Sequence, residues 1–152
     1  MLGAFKKIFN GSRKEASAED RELKLKVATS VILLEAATAD SNFSVEEQEK
    51  IVEILKSRFQ MSDESVKELI DESENERKNS TGLWYFTNII NENLNNEEKY
   101  NLMELVWEVI YSDGTLDKFE NYIAHKLLKM LNIDHSKFIE LKMKVKNETE
   151  TA

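Results

Sequence analysis

The chain is 152 residues long with a formal net charge of −8 and a pI near 4.9, a balance that repels phosphate backbones and argues against nucleic acid as a general partner. It has no proline and four glycines, too few turn formers for a β-rich domain, so long helices joined by short corners are expected. It has no cysteine, which excludes disulfides, iron–sulfur clusters, thiolate nucleophiles and thiolate-held zinc and fits a reducing, cytoplasmic setting.

Residues 1–17 read as an amphipathic segment followed by a linker. Leu2, Phe5, Ile8 and Phe9 supply apolar groups, and Lys6 and Lys7 supply charge. Residues 1–9 therefore suit either peripheral contact with an anionic inner-membrane surface or folding back onto the bundle, and their shortness favours the second. The segment lacks the apolar core and cleavage site of a signal peptide. Asn10–Ser17 is polar, and Ser17 is placed to cap a helix.

From about Glu19 to Ala39, Leu23, Val27, Val31 and Leu34 recur at helical spacing and alanines widen the stripe. A second helix is expected from Val45 to about Phe59 with Ile51, Ile54 and Leu55 inward. A third, capped by Ser62, turns Val66, Leu69 and Ile70 inward. The charged run from Asp71 to Ser80 reads as a fraying end and connector. Gly82-Leu-Trp-Tyr-Phe86, with Ile89 and Ile90, opens the second half. Asn95 and Glu98 form a capping box for a helix carrying Leu102, Leu105, Val106, Val109 and Ile110. A helix from about Lys118 to Leu131 carries Ile123, Leu127 and Leu128, and one from about His135 to Lys146 carries Phe138, Leu141 and Val145. Nothing alternates with period two, and no apolar run nears the roughly 20 residues that span a bilayer. The fold class is all-α, a single compact bundle of about seven helices.

The two halves share a pattern. Glu35, Asp40, Phe43, Ser44 and Glu47 recur as Glu108, Asp113, Leu116, Asp117 and Glu120, each 73 positions later. A three-helix unit thus occurs twice, at about residues 22–74 and 96–146. Ser44-x-x-Glu47 and Asp117-x-x-Glu120 are capping boxes, a structural reading of those four residues that stands beside a metal-binding one. Asp40 and Asp113 are different. They are expected in the last turn of a helix, where the macrodipole disfavours a carboxylate by roughly 0.3–1 kcal/mol. A cation reverses that sign, because helix-end carbonyls and carboxylates both coordinate hard metals. The candidate metal ligands are Asp40, Glu47, Asp113 and Glu120, with Glu35, Glu108, Asp117 and Ser44 as weaker candidates. The ion would be divalent: calcium, magnesium, manganese or zinc. Solvated turn acids are the competing reading.

The corners are not EF-hands. Lys118 and Val45 stand where that loop needs glycine, and Ala124 and Ile51 where it needs glutamate. A di-iron bundle is excluded too, because His125 and His135 form no Glu-x-x-His pair.

Ala36-Ala-Thr-Ala-Asp40-Ser-Asn-Phe-Ser-Val-Glu-Glu47 and Val109-Ile-Tyr-Ser-Asp113-Gly-Thr-Leu-Asp-Lys-Phe-Glu120 resemble the tellurite-resistance protein B (TerB-like) family. The resemblance runs from about residue 22 to 146, within a domain expected at 18–148. A related domain precedes the J-domain in some membrane-anchored DnaJ-like co-chaperones. The resemblance implies a pseudo-symmetric helical bundle, metal-binding acids at Asp40, Glu47, Asp113 and Glu120, and a place in stress-response or membrane-linked complexes. Where the family commonly has glycine after the first aspartate, this chain has Ser41.

Two functions follow. One is a metal-responsive binding module. The other is a metal-independent helical scaffold for a protein partner, with Trp84, Tyr85, Phe86, Trp107 and Tyr111 as aromatic candidates that helical spacing assigns more readily to the core. A dimer is compatible with either. Catalysis has no support: there is no nucleophile–histidine–acid spacing and no glycine-rich phosphate loop, so no enzyme is expected.

Overall fold

Ala18–Ala37 form the first helix, α1, with Glu19 and Asp20 in the turn where the helix dipole favours acids. A computed structural model describes residues 18–38, 44–113 and 118–151, by backbone alone at 113, 118–120 and 149–151. From Val27 onward nearly every side chain of α1 is buried, including Val31, Ile32, Leu33 and Leu34 in succession. A helix apolar on one stripe lies on a surface; a helix apolar all round lies inside. Accordingly α1 packs against α2 (Val45–Phe59), α3 (Asp63–Asn79), α4 (Trp84–Asn93), α5 (Asn96–Ile110) and α6 (Lys118–Met130). The stripe expected from the spacing is a full circumference. The buried Ser30 hydroxyl turns back on the helix itself: its Oγ donates to the Lys26 carbonyl at 2.8 Å.

The seventh described helix, α7 (His135–Thr151), packs on α5. Phe138 on α7 meets Trp107 on α5 with ring centroids 5.0 Å apart, and both are fully buried. A 3₁₀ turn, Tyr111–Asp113, follows α5. The described residues contain no strand, and no helix among them is long and apolar enough to cross a membrane.

The duplication is visible in the backbone. α1 ends at Ala37 and α5 at Ile110, while α2 begins at Val45 and α6 at Lys118, so both corners keep the 73-residue offset. The far ends of α2 and α6 close alike. Gln60 (φ 53°) and Asn132 (φ 56°) adopt the left-handed region. The next N–H groups, of Met61 and Ile133, donate to the Lys56 and Leu128 carbonyls at 3.2 and 3.0 Å, the six-to-one bond of a Schellman cap. Here the offset is 72. Ile54, Leu55, Val66 and Leu69 in the first unit and Leu127, Leu128, Phe138 and Leu141 in the second are all buried. α4 bridges the units.

Two helix ends differ from expectation. Asp71–Ser80 is not a connector up to its last residue: α3 continues to Asn79. Glu72 and Ser73 are buried, at 2% and 0% exposure. Arg77 donates to Glu74 at 2.5 Å and across to Glu35 of α1 at 2.9 Å. That half-buried ion pair fixes the last turn of a helix whose composition alone reads as loop. α7 likewise runs past Lys146 to Thr151.

Candidate functional site at the acidic corners

Each corner begins at a helix C-terminus whose last carbonyls lack intrahelical donors. Side-chain hydroxyls meet part of that need. Thr38 Oγ1 donates to the Leu34 carbonyl at 2.8 Å, and Ser112 Oγ to the Val109 carbonyl at 2.6 Å. Asp113 closes the 3₁₀ turn just beyond α5 rather than lying within its last α-helical turn. Asp40 and Asp117 lie outside the described residues, as do the side chains of Asp113 and Glu120.

The first corner ends in a complete capping box. The Glu47 N–H donates to Ser44 Oγ at 3.1 Å, while the Ser44 hydroxyl and N–H both donate to Glu47 Oε1, at 2.9 and 3.2 Å. Glu47 is 1% exposed. Burying a carboxylate is tolerated when hydrogen bonds replace its water, so Ser44 and Glu47 have a structural task of their own. Glu35, a weaker metal candidate by sequence, is taken up by Arg77 at 2.9 Å.

Glu108 has a different setting. It lies on a groove of about 480 Å³ between α2, the end of α5 and the end of α7, which it shares with Glu46, Glu49, Glu53 and Glu148. Burial pushes the Glu108 carboxyl above its ordinary value; Lys50 pulls it back, and Glu104, Glu148 and Glu53 add to the rise. Lys50 is also 3.6 Å from Glu53. Tyr111 and Ser112, from the turn that opens the second corner, line the same groove as Glu46 in the first turn of α2. The turn packs directly against α2. The structure thus brings the start of the second corner to the helix that leaves the first.

Among the described residues, no three carboxylates or imidazoles converge closely enough to hold a metal ion. The groove acids Glu46, Glu49, Glu53 and Glu148 are additions to the candidates taken from sequence. The α2 acids carried a signal, since positions 46, 49 and 53 share one helical face. Glu148 carried none, because its place depends on how α7 lies against α5.

The aromatic candidates divide. Phe86, Trp107 and Tyr111 are buried, whereas Trp84 is 70% and Tyr85 40% exposed at the start of α4. His125 and His135 stack at 6.2 Å beside Phe138. Desolvation, and then His135, Lys142 and Lys129, lower the His125 pKa from 6.5.

No curated protein and no solved structure matches the chain. The family model described as tellurite resistance protein TerB matches residues 26–143, a span that starts inside α1, takes in both corners and ends in α7. With two acid-bearing corners on a duplicated helical frame, the chain belongs to the TerB family.

Proposed function

We propose that this TerB-family chain is a non-enzymatic stress-response or interaction module that takes up a divalent cation at its acidic corners and presents the adjoining acid-lined groove to a protein partner. The observation that carries the reading is the meeting of α2 with the turn Tyr111–Asp113, with five glutamates around the groove they share. Carboxylates held near one another and near two helix C-termini repel, and a cation between them turns repulsion into attraction. Asp40, Asp113 and Glu120 would hold the ion, with Glu108 nearby in the groove. Glu47 would contribute by holding the corner in place through its capping box. Cation uptake would stabilise α2 against the end of α5, and through it the surface a partner meets.

Thermal melts with calcium, magnesium, manganese, zinc and chelator test the reading. An ion at about 100 times its Kd adds about 2.7 kcal/mol, which for a chain of this size raises Tm by roughly 5–10 °C. The rise should vanish in the double variant Asp40→Asn/Asp113→Asn. If no ion shifts Tm, or the double variant keeps the shift, the cation reading fails.

A second reading is supported by the capping box, which engages Ser44 and Glu47 without any ion. On that reading the chain is a metal-independent helical scaffold, and exposed Trp84 marks its partner surface. Binding of a partner undiminished by chelator and weakened by Trp84→Ala would favour it.

A further inference from the structure

Apart from the acid-lined groove, the bundle has a second and mostly apolar groove, of about 350 Å³, between α2 and α3. Its floor is Leu34, Ile51 and Val66, all buried, and its walls are the half-buried Val52 and Ile70. Asp63 and Asp71 stand at its rim, with Lys67 between them. We propose that residues 2–9 of this chain dock in that groove, placing Phe5, Ile8 and Phe9 on the apolar floor with Lys6 and Lys7 against the acids of α3.

Three observations support this occupant. The first is chemistry. Leu2, Phe5, Ile8 and Phe9 are spaced to share one side of a helix, and a surface of Leu, Ile and Val matches them where the glutamate-lined groove does not. The second is charge. Residues 1–17 hold four bases, Lys6, Lys7, Arg13 and Lys14, against one acid, in a chain whose total is −8. The sequence of α3 is acidic, with seven acids against three bases. A basic segment is therefore drawn to the α3 side of the groove.

The third is reach. Lys26 of α1 lies over the Phe59 ring at 5.7 Å, and Lys56 pairs with Asp63. The first half of α1 thus passes the α2–α3 turn, the end at which Asp63 opens the groove. Ala18 is eight residues before Lys26, about 12 Å along the axis. Residues 10–17 span up to roughly 26 Å when extended, enough to return to Asp63. A helix of residues 2–9 is about 12 Å long, and so is the stretch of α3 from Asp63 to Asp71. Burying three large apolar side chains in a preformed groove favours docking, and holding the segment by a short tether raises its effective concentration.

Because the chain lacks cysteine, Ala4→Cys gives a single site for a nitroxide label on the full chain. The expected result is paramagnetic broadening of the Val52, Val66 and Ile70 methyl signals, with loss of most of their intensity. The double variant Lys6→Glu/Lys7→Glu should restore that intensity, and so should Phe5→Ser; neither alters a residue of α1–α7. Ile70→Glu, checked by circular dichroism, should restore the Val52 and Val66 signals from the groove side. Unbroadened α2–α3 methyls, or broadening centred on α6 and α7, would overturn the proposal. So would full chain that sediments with vesicles of equimolar phosphatidylcholine and phosphatidylserine and loses the α2–α3 broadening there, since the segment would then belong to the membrane surface. The assignment is independent of cation at the corners, and chelator should leave the broadening unchanged.

Discussion

Glu108 shows how one side chain can work against the fold that holds it. Burial and the neighbouring Glu104, Glu148 and Glu53 raise its pKa above 4.5, with Lys50 opposing. A carboxyl raised on folding binds protons more tightly in the folded state. Its favourable contribution is therefore present below about pH 4.5 and lost as pH rises through the folded value. At pH 7 without added cation, Glu108→Gln should stabilise the protein by about 0.5 kcal/mol once solvent screening is allowed for. It should also flatten the dependence of stability on pH between 4.5 and 7. With a cation that stabilises the parent chain, the same variant should gain less. Urea unfolding across that pH range, with and without the ion, checks both; a variant less stable than the parent in chelator would contradict the electrostatic account. Ser44 and Glu47 were legible in sequence because a capping box is local, with both partners three residues apart. The Glu108 neighbourhood was not, because Glu53 and Glu148 reach it from two other helices.

At the scale of elements, the helix boundaries on either side of the corners were readable for the same reason of locality. An N-cap and a helix-period stripe state where α2, α5 and α6 begin, and the 73-residue repeat states it twice. The extent of α3 was hidden, because Glu72 and Ser73 are polar residues facing inward, and Arg77 finds Glu35 across 42 positions of sequence. The turns after α2 and α6 offer a test of the duplication itself. Both need a left-handed residue, and they fill it differently, with Gln60 and Asn132. A side chain with a Cβ is strained there by roughly 1–2 kcal/mol, and asparagine less than others. Gln60→Gly should therefore stabilise by about 1 kcal/mol and Asn132→Gly by only a few tenths. Urea midpoints should move without a change in m-value. Equal gains at both sites would show that the caps are not the equivalents their geometry suggests.

For the whole molecule, the question is whether a duplicated chain folds as two units or as one. Each repeat could bury its own three helices, but α1 prevents that division. It belongs to the first repeat by sequence, yet it packs on α5 and α6 of the second as well as on α2 and α3. Its run Val31-Ile32-Leu33-Leu34 is at most 1% exposed, and four consecutive residues of a helix point in four directions. The first-half core and the second-half core therefore share one wall, and neither half closes without it. Leu33→Ala leaves a cavity there at an expected loss of about 2–5 kcal/mol. The loss should be felt everywhere: amide hydrogen exchange should accelerate in α2 and α3 and equally in α5 and α6, within one cooperative transition. If exchange quickens only in α2 and α3, the repeats are separate folding units and α1 is a helix of the first alone. If both respond, the proposed cation, by tightening α2 against the end of α5, would act on the same shared core, and its effect would be felt as far away as α3.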